Sequence, residues 1–400
     1  MQISPKSARI ALLIESSRGY GRNLLLGVAA FARTHGPWSI YRHERALGDA
    51  VPDWLQRWDG DGIIARIESE QLAEYLIKKG CPTVDLRARY TLPGIPSIVP
   101  NDLFVVRMAY ESFIGRGIDH FGFCGFEGVD YSDSRRNFAI QYLAEHGVVP
   151  SVYETPHGLA TDTTGVEAEG MFDEAELGQW LAALPRPVGV LACNDIRGGQ
   201  VLNVCRANEI KVPDDVAVTG VDNDELICAL TTPPLSSVAV DSYRAGYLAG
   251  ELLSKMLAGE TVSDERLLVE PVNVISRQSS DVFAIEDNDL VDALRFIRDN
   301  ACDGINVEDV ARAVQLSRST LDRRFSRLTG TTAKGEITRV RVDRVKQLLV
   351  DTDYPLSAIA SMTGFAHAEY MSTMFKEHTN ETPGQYRHFY HGIRQGGVST

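Results

Sequence analysis

Along the first two thirds of the chain, short apolar runs alternate with amphipathic helical stretches, in two successive blocks. Arg9-Ile-Ala-Leu-Leu-Ile-Glu15 reads as a buried strand, followed by a helical pattern from about Arg22 to Arg33. Gly62-Ile-Ile-Ala-Arg-Ile67 precedes a helix ending near Lys79-Gly80, and Pro82-Thr-Val-Asp-Leu86 follows. A helix is then expected from Asp102 to Arg116, a strand at His120–Gly125 and a helix at Ser132–Gly147. The second block repeats the scheme with strands at Val188–Cys193 and Val216–Val221 and helices at Ile196–Asn208 and Tyr243–Leu257. Continuously apolar strands between helices argue for parallel sheets covered on both faces. Two such blocks predict two doubly wound α/β lobes with a cleft between them.

In open sheets of this kind a ligand binds beyond the carboxyl ends of the strands. Those ends carry a consistent polar set here. The first strand leads into Ser16-Ser17-Arg18-Gly19-Tyr20-Gly21-Arg22, and an edge strand near Ile98 leads into Asn101-Asp102. The later strands lead into Asn194-Asp195-Ile196-Arg197 and Asp222-Asn223-Asp224. Candidate ligand contacts are therefore Tyr20, Arg22, Asp102, Asn194, Asp195, Arg197, Asp222 and Asn223. Carboxylates, amides and guanidinium groups beside an aromatic ring suit a neutral polyhydroxylated ligand, because each hydroxyl both donates and accepts. Asp and Asn after a strand are also ordinary helix N-caps, so Asp102, Asn194 and Asp195 each carry two readings. Arg22 reads equally as a solvated helix residue, and of Arg135 and Arg136 one is expected to face the cleft.

The last hundred residues change character. Two helix-turn-helix patterns stand about fifty positions apart. The first runs from Val307 to Phe325, with Val307, Val310 and Val314 on one helix and Leu321 and Phe325 on the next. The second starts at Leu356 and runs through Ile359, Met362, Gly364-Phe365, Tyr370, Met374 and Phe375. Two compact readers on one polypeptide can address two successive major-groove faces of DNA. The polar positions of the first recognition helix are cationic or hydrogen-bonding: Arg318, Ser319, Thr320, Arg323 and Arg324, with Asp322 among them. Between Arg312 and Lys346 there are ten Lys/Arg against three acids, although the chain carries a net charge of -14. Such a local surplus neutralises phosphates, while base-edge contacts choose the site.

The C-terminal segment, about residues 287–390, resembles the AraC/XylS-type regulator domain. The matching residues are Ala311, Leu316-Ser317, Leu321, Arg323, Phe325, Gly330, Ile359-Ala360, Gly364-Phe365, Phe375-Lys376, Thr382-Pro383 and Tyr386-Arg387. The resemblance implies seven helices, one of them a bridge over about Thr332–Val350, roughly 27 Å long. It also implies base-reading roles for Ser319, Asp322 and Arg323 in the first reader and for His367, Ala368, Glu369 and Thr373 in the second. Met371 departs from the family's aromatic residue, and Glu369 is poorly suited to face phosphate. Residues 8–280 resemble the ligand-binding domain of the Lac repressor-type family, which is similar to periplasmic sugar-binding proteins. The carriers are Asn101-Asp102, Gly115-Arg-Gly117, Ala192-Cys-Asn-Asp195, Pro213-Asp-Asp-Val-Ala-Val-Thr-Gly-Val-Asp222 and Pro233-Pro-Leu-Ser-Ser-Val238. By that resemblance Asp102, Asn194, Asp222 and Arg135 contact a sugar. The usual N-terminal DNA-reading helices are expected to be missing, since the first strand begins by Ala8.

A Lac repressor-like sensor joined to an AraC-type reader is similar to a bacterial family of xylose-responsive regulators. Echoes include Gly19-Tyr-Gly-Arg22, Val221-Asp-Asn-Asp-Glu-Leu226 and Val272-Asn-Val-Ile-Ser-Arg-Gln-Ser-Ser-Asp281. The resemblance implies a dimeric activator with D-xylose or a similar sugar as effector, double-stranded operator DNA as partner, and RNA polymerase as a further partner. The same architecture would also serve another pentose, a hexose or a nucleoside. Sugar is expected to bridge the lobes, through Asp102 and Arg135 on one side and Asn194 and Asp222 on the other. The expected domains are a tail at 1–7, a sensor at 8–280, a linker at 281–289, a reader at 290–392 and a tail at 393–400.

Other classes lack their chemistry. No Gly-x-Ser-x-Gly elbow or His/Cys/Asp cluster is present, and Ser16–Gly21 is too short for a phosphate-cradling loop, so no enzymatic activity or cofactor is expected. The six cysteines are scattered without a C-x-x-C pair, which points to reduced thiols in a cytosol and no metal site. The first twenty residues lack a signal-peptide pattern and no run is long enough to span a bilayer, so a cytoplasmic protein without membrane contact is expected.

Overall fold

The computed structural model describes residues 7–47, 49, 51–155, 162–262, 266–281, 287–329, 331–379 and 381–387. The chain divides into two compact units, residues 1–282 and 283–400. The expected N-terminal tail apart from residue 7, linker residues 282–286, Gly330 and the tail at 393–400 lie outside the described residues.

The first unit begins with β1 (Ala8–Leu13), α1 (Gly19–His35), β2 (Trp38–Arg42), β3 (Gly62–Ala65), α2 (Glu70–Lys79), β4 (Thr83–Asp85) and β5 (Ser97–Pro100). It continues through α3 (Asp102–Ile114), β6 (His120–Phe126), α4 (Asp130–Glu145), β7 (Ser151–Thr155), α5 (Thr163–Glu169), α6 (Glu174–Ala183), β8 (Val188–Ala192), α7 (Asp195–Ala207) and β9 (Val216–Val221). It closes with α8 (Glu225–Leu230), β10 (Ser236–Val240), α9 (Ser242–Leu257), β11 (Arg266–Val269) and β12 (Pro271–Ile275). These strands form two six-stranded sheets, ordered β11-β5-β4-β3-β1-β2 and β12-β10-β9-β8-β6-β7. Every pairing is parallel except β10 with β12. The reversal of strand order beside β1 and beside β6 is the switch point at which doubly wound sheets open a crevice.

The two blocks are not simply in tandem. The strand around Ile98, expected at an edge, is covered by β11, which pairs with it from Arg266↔Ser97 to Val269↔Pro100. Helix α3 leaves the first sheet but buries Val105, Val106, Ala109, Tyr110 and Phe113 against Phe121 and Phe123 of the second lobe. Helix α9 leaves the second sheet and buries Ala245, Ala249 and Leu253 against Ile10, Leu24 and Val28 of the first. The chain therefore crosses between lobes three times, at α3, at α9 and between β11 and β12. The α1–α9 packing is close because two glycines permit it. A Cβ at Gly27 would stand 2.0 Å from the Tyr243 carbonyl oxygen, and one at Gly246 would stand 2.0 Å from that of Leu24.

The second unit holds α10 (Asn288–Asn300), α11 (Val307–Ala313), α12 (Arg318–Thr329), α13 (Ala333–Asp351), α14 (Leu356–Met362) and α15 (Ala368–Thr379), with a further helical turn at 383–387. Two cores share one helix. Ala333 and Ile337 of α13 pack with Leu294, Val310, Leu321 and Phe325, whereas Val342, Val345 and Leu349 pack with Ile359, Phe365, Met371 and Phe375. Local signals set the boundaries: Asn306 and Asp309 form a reciprocal capping box at α11, and the Ser317 hydroxyl accepts the Thr320 amide at α12. The apolar stripe expected for the second reader is corrected at two places. Met362 is 48% and Tyr370 44% exposed, while Ala360 and Met371 fill the core positions instead. No helix among the described residues is long and apolar enough to cross a membrane.

Candidate functional site

Between the lobes of the first unit lies a cavity of about 300 Å³. Its second-lobe wall is built at strand ends and helix starts. Asn194 caps α7, its Oδ1 accepting the Arg197 amide at 2.8 Å, and its Nδ2 remains free to reach into the cleft. That Nδ2 donates to Tyr131 Oη at 3.0 Å and to Glu167 Oε1 at 2.8 Å, and Tyr131 Oη in turn donates to Glu167 Oε1 at 2.7 Å. Arg135, 3% exposed, donates through Nε to Asp102 Oδ1 at 2.9 Å and through Nη1 to the Cys193 carbonyl, with Nη2 3.9 Å from Asp222 Oδ1. Asp222 and Asn223 follow β9 at φ 105° and 52°, a left-handed excursion that non-glycine residues rarely adopt. Burial pushes the Asp222 carboxyl up to about 6, although Arg135, Arg66 and Arg18 oppose the rise.

The first-lobe wall is arginine-rich. Arg66 follows β3 and pairs with Glu15 at 2.5 Å and Glu68 at 3.2 Å, its guanidinium 5.1 Å from the Tyr20 ring centre. Arg87 follows β4 and bonds Glu68 at 3.1 Å. Burial lifts the Tyr20 hydroxyl to about 12, so it stays protonated and able to donate. Several links among the described residues cross the cleft. Arg18 forms a two-point ion pair with Glu167, Arg87 grips both oxygens of Asp130 at 2.5 Å, the Gly19 amide donates to Asp224 Oδ2 at 2.7 Å, and the Thr164 hydroxyl reaches the Leu47 carbonyl at 3.0 Å. Tyr131 lies between two guanidinium groups, 5.5 Å from Arg87 and 5.4 Å from Arg135.

Five sequence candidates line this cavity: Tyr20, Asp102, Arg135, Asn194 and Asp222. Four do not. Arg22 is exposed and donates to the Ser16 and Ser17 carbonyls, stiffening its own loop. Asp195 is 2% exposed and turned inward, accepting the Asp224 amide at 2.7 Å and the Ser237 hydroxyl at 2.5 Å. Arg197 is fully buried in the second lobe against Asp173 and the Gly170 carbonyl. The Asn223 amide oxygen takes Arg277 at 2.8 Å. The expected division across the lobes is also corrected. Asp102 opens α3, which packs on the second sheet, so Asp102, Arg135, Asn194 and Asp222 all stand on one lobe. The opposite side is supplied by Arg18, Tyr20, Arg66 and Arg87. Arg66 and Arg87 end strands and were reachable by the strand-end rule; Glu167 sits on a seven-residue helix with no sequence signal of its own.

In the second unit Ser319 and Arg323 of α12 are exposed, as are His367, Glu369 and Thr373 at α15. Arg318 pairs with Glu308, and Asp322 stands 3.7 Å from Arg318. The Thr320 hydroxyl is 2.8 Å from that of Ser317 at the start of α12. Arg324, expected among the cationic DNA-contacting positions of the first recognition helix, instead turns to Asp287 at 2.9 Å and Asp289 at 2.8 Å. Ala368 is partly buried against the second core, so it too points away from solvent.

Comparison with known proteins gives a consistent placement. Residues 9–100 match the XylR N-terminal domain, 110–280 the periplasmic binding protein-like domain and 310–388 a helix-turn-helix domain. The chain is 32% identical over 392 residues to the xylose operon regulatory protein of Escherichia coli K12, covering 96% of this chain and 97% of that protein. It is 29% identical over 388 residues to the protein of the same description from Haemophilus influenzae, covering 95% and 98%. Among solved structures, a xylose-binding transcription activator XylR aligns with a TM-score of 0.72 at 29% identity, over 97% of this chain and 99% of that one.

Proposed function

The chain belongs to the family of xylose operon regulatory proteins, and from that premise we propose that its first unit senses D-xylose and its second reads operator DNA. The family is one of transcriptional regulators, not enzymes. The carrying observation is the Arg18–Glu167 pair across the cleft, held on the second lobe by Asn194 and Tyr131. A pentose entering there meets carboxylates that accept and guanidinium or amide groups that donate, from both lobes at once. Ligand that contacts both lobes favours the closed arrangement over the open one, and only such differential binding moves the equilibrium. The shift reaches the reader through the segment near 281–289. On this reading the protein works in the cytoplasm as a homodimer, engages paired half-sites with α12 and α15, and recruits RNA polymerase.

The test is a thermal-shift and calorimetric screen of the full chain against pentoses, hexoses and nucleosides, since a ligand of the folded state raises the melting temperature. D-xylose should shift it selectively. Asp222→Ala should abolish that shift while leaving sugar-independent DNA binding measurable, and wild-type affinity should fall as the pH drops below about 6, where Asp222 loses its acceptor charge. A shift with another compound and none with xylose would replace the effector; simultaneous loss of sugar and DNA binding in a folded Asp222→Ala protein would sink the separation of roles.

A further inference from the structure

A second chamber of about 380 Å³ adjoins the first and shares Leu47, Arg66, Arg89 and Thr163 with it. The first, at about 300 Å³, already stands at the lower end of the roughly 300–1,000 Å³ that small-ligand pockets span, so one pentose ring does not require the second. Arg66 stands at the junction between Glu15 and Glu68. Glu15, 4% exposed, gives Oε1 to Arg66; its Oε2 is buried at the chamber wall and has no partner among the described residues. Arg66 Nε is likewise buried without a partner there. Unpaired buried polar atoms are costly, and those at a pocket wall mark where a ligand group or ordered water completes the bonding. The chamber alternates carboxylates with guanidinium groups, and partly buried Tyr90 adds a ring with Arg89 5.8 Å from its centre. That mixture matches a neutral polyol with one apolar face, the same chemistry as the first chamber.

We infer that the second chamber is a second glycosyl subsite, so that the sensor takes a pentose disaccharide across Arg66 as well as a monosaccharide in the first chamber alone. The inference rests on the sugar-sensor reading above. Calorimetry on the full chain with D-xylose and with β-1,4-xylobiose tests it, using Tyr90→Ala and Tyr90→Phe. Both sugars should bind wild type. Tyr90→Ala should weaken the disaccharide about tenfold and leave D-xylose within about twofold, while Tyr90→Phe, which keeps the ring, restores the disaccharide. Binding of D-xylose without the disaccharide overturns the subsite and leaves the sensor reading intact, as does an equal loss of both sugars in a folded Tyr90→Ala protein. Binding of the disaccharide alone supports the subsite and replaces the monosaccharide effector. If neither sugar binds, the sensor reading fails and the subsite with it.

Discussion

Asp195 and Asn194 are neighbours of similar type at one strand end, yet they do opposite work. Asn194 caps α7 with its oxygen and turns its amide nitrogen to the cleft, whereas Asp195 is turned inward between the Asp224 amide and the Ser237 hydroxyl. Burial, reinforced by Asp222, pushes the Asp195 carboxyl up to about 8 despite these bonds. A folded-state value above the unfolded one means that the native state holds the proton more tightly between about pH 4 and 8, so stability falls as pH rises through that window. Asp195→Asn removes the titration. Its unfolding free energy from urea titration, relative to wild type, should therefore rise between pH 5.5 and 8, with a slope of at most about 1.4 kcal/mol per pH unit. Parallel curves would show that Asp195 titrates normally.

At the scale of the element, α12 separates two consecutive arginines. A helix turns about 100° per residue, so Arg323 faces solvent while Arg324 reaches back to Asp287 and Asp289 at the start of α10. Asp287 also caps α10, accepting the Leu290 amide at 3.3 Å. Arg323→Ala should cost about 1–3 kcal/mol of discrimination between operator and scrambled DNA if its guanidinium makes a bidentate base contact. Arg324→Ala should leave that ratio unchanged and lower thermal stability only slightly, since its ion pairs are solvent-screened. Anisotropy titrations on both sequences, with melting curves, separate the two; an equal loss of discrimination would return Arg324 to the DNA-reading face.

Over the first unit as a whole, three crossovers tie the lobes into one body while leaving the cleft to be closed by side chains. The two-point Arg87–Asp130 pair is one of the links across the cleft, with Arg87 6% and Asp130 36% exposed. Asp130→Asn weakens it and favours the open arrangement. A loss of about 1 kcal/mol of closure corresponds to roughly a fivefold lower apparent sugar affinity, because affinity scales with the competent population. Calorimetry should report that drop with the heat-unfolding midpoint little changed. Unaltered affinity would mean that the pair contributes nothing to closure.

The alternating strands and helices, the double helix-turn-helix and the polar strand ends are all legible in the sequence, because backbone periodicity and strand-end chemistry are local properties. Tyr20, Asp102, Asn194 and Asp222 are reached in this way, whereas Arg135 is singled out from Arg136 only by the family resemblance. What only the tertiary structure decided is which way a polar side chain turns and which lobe owns it. Asp195 and Arg197 follow the same strand as Asn194 but turn into the lobe rather than the cleft, since their partners Ser237 and Asp173 come from distant segments. Asp102 changes lobe because α3 packs on the second sheet. Glu167 enters the site from a helix far along the chain, brought to Arg18 across 149 residues. Such pairings depend on contacts between segments whose separation carries no periodic signal, so they exist only once the lobes are built.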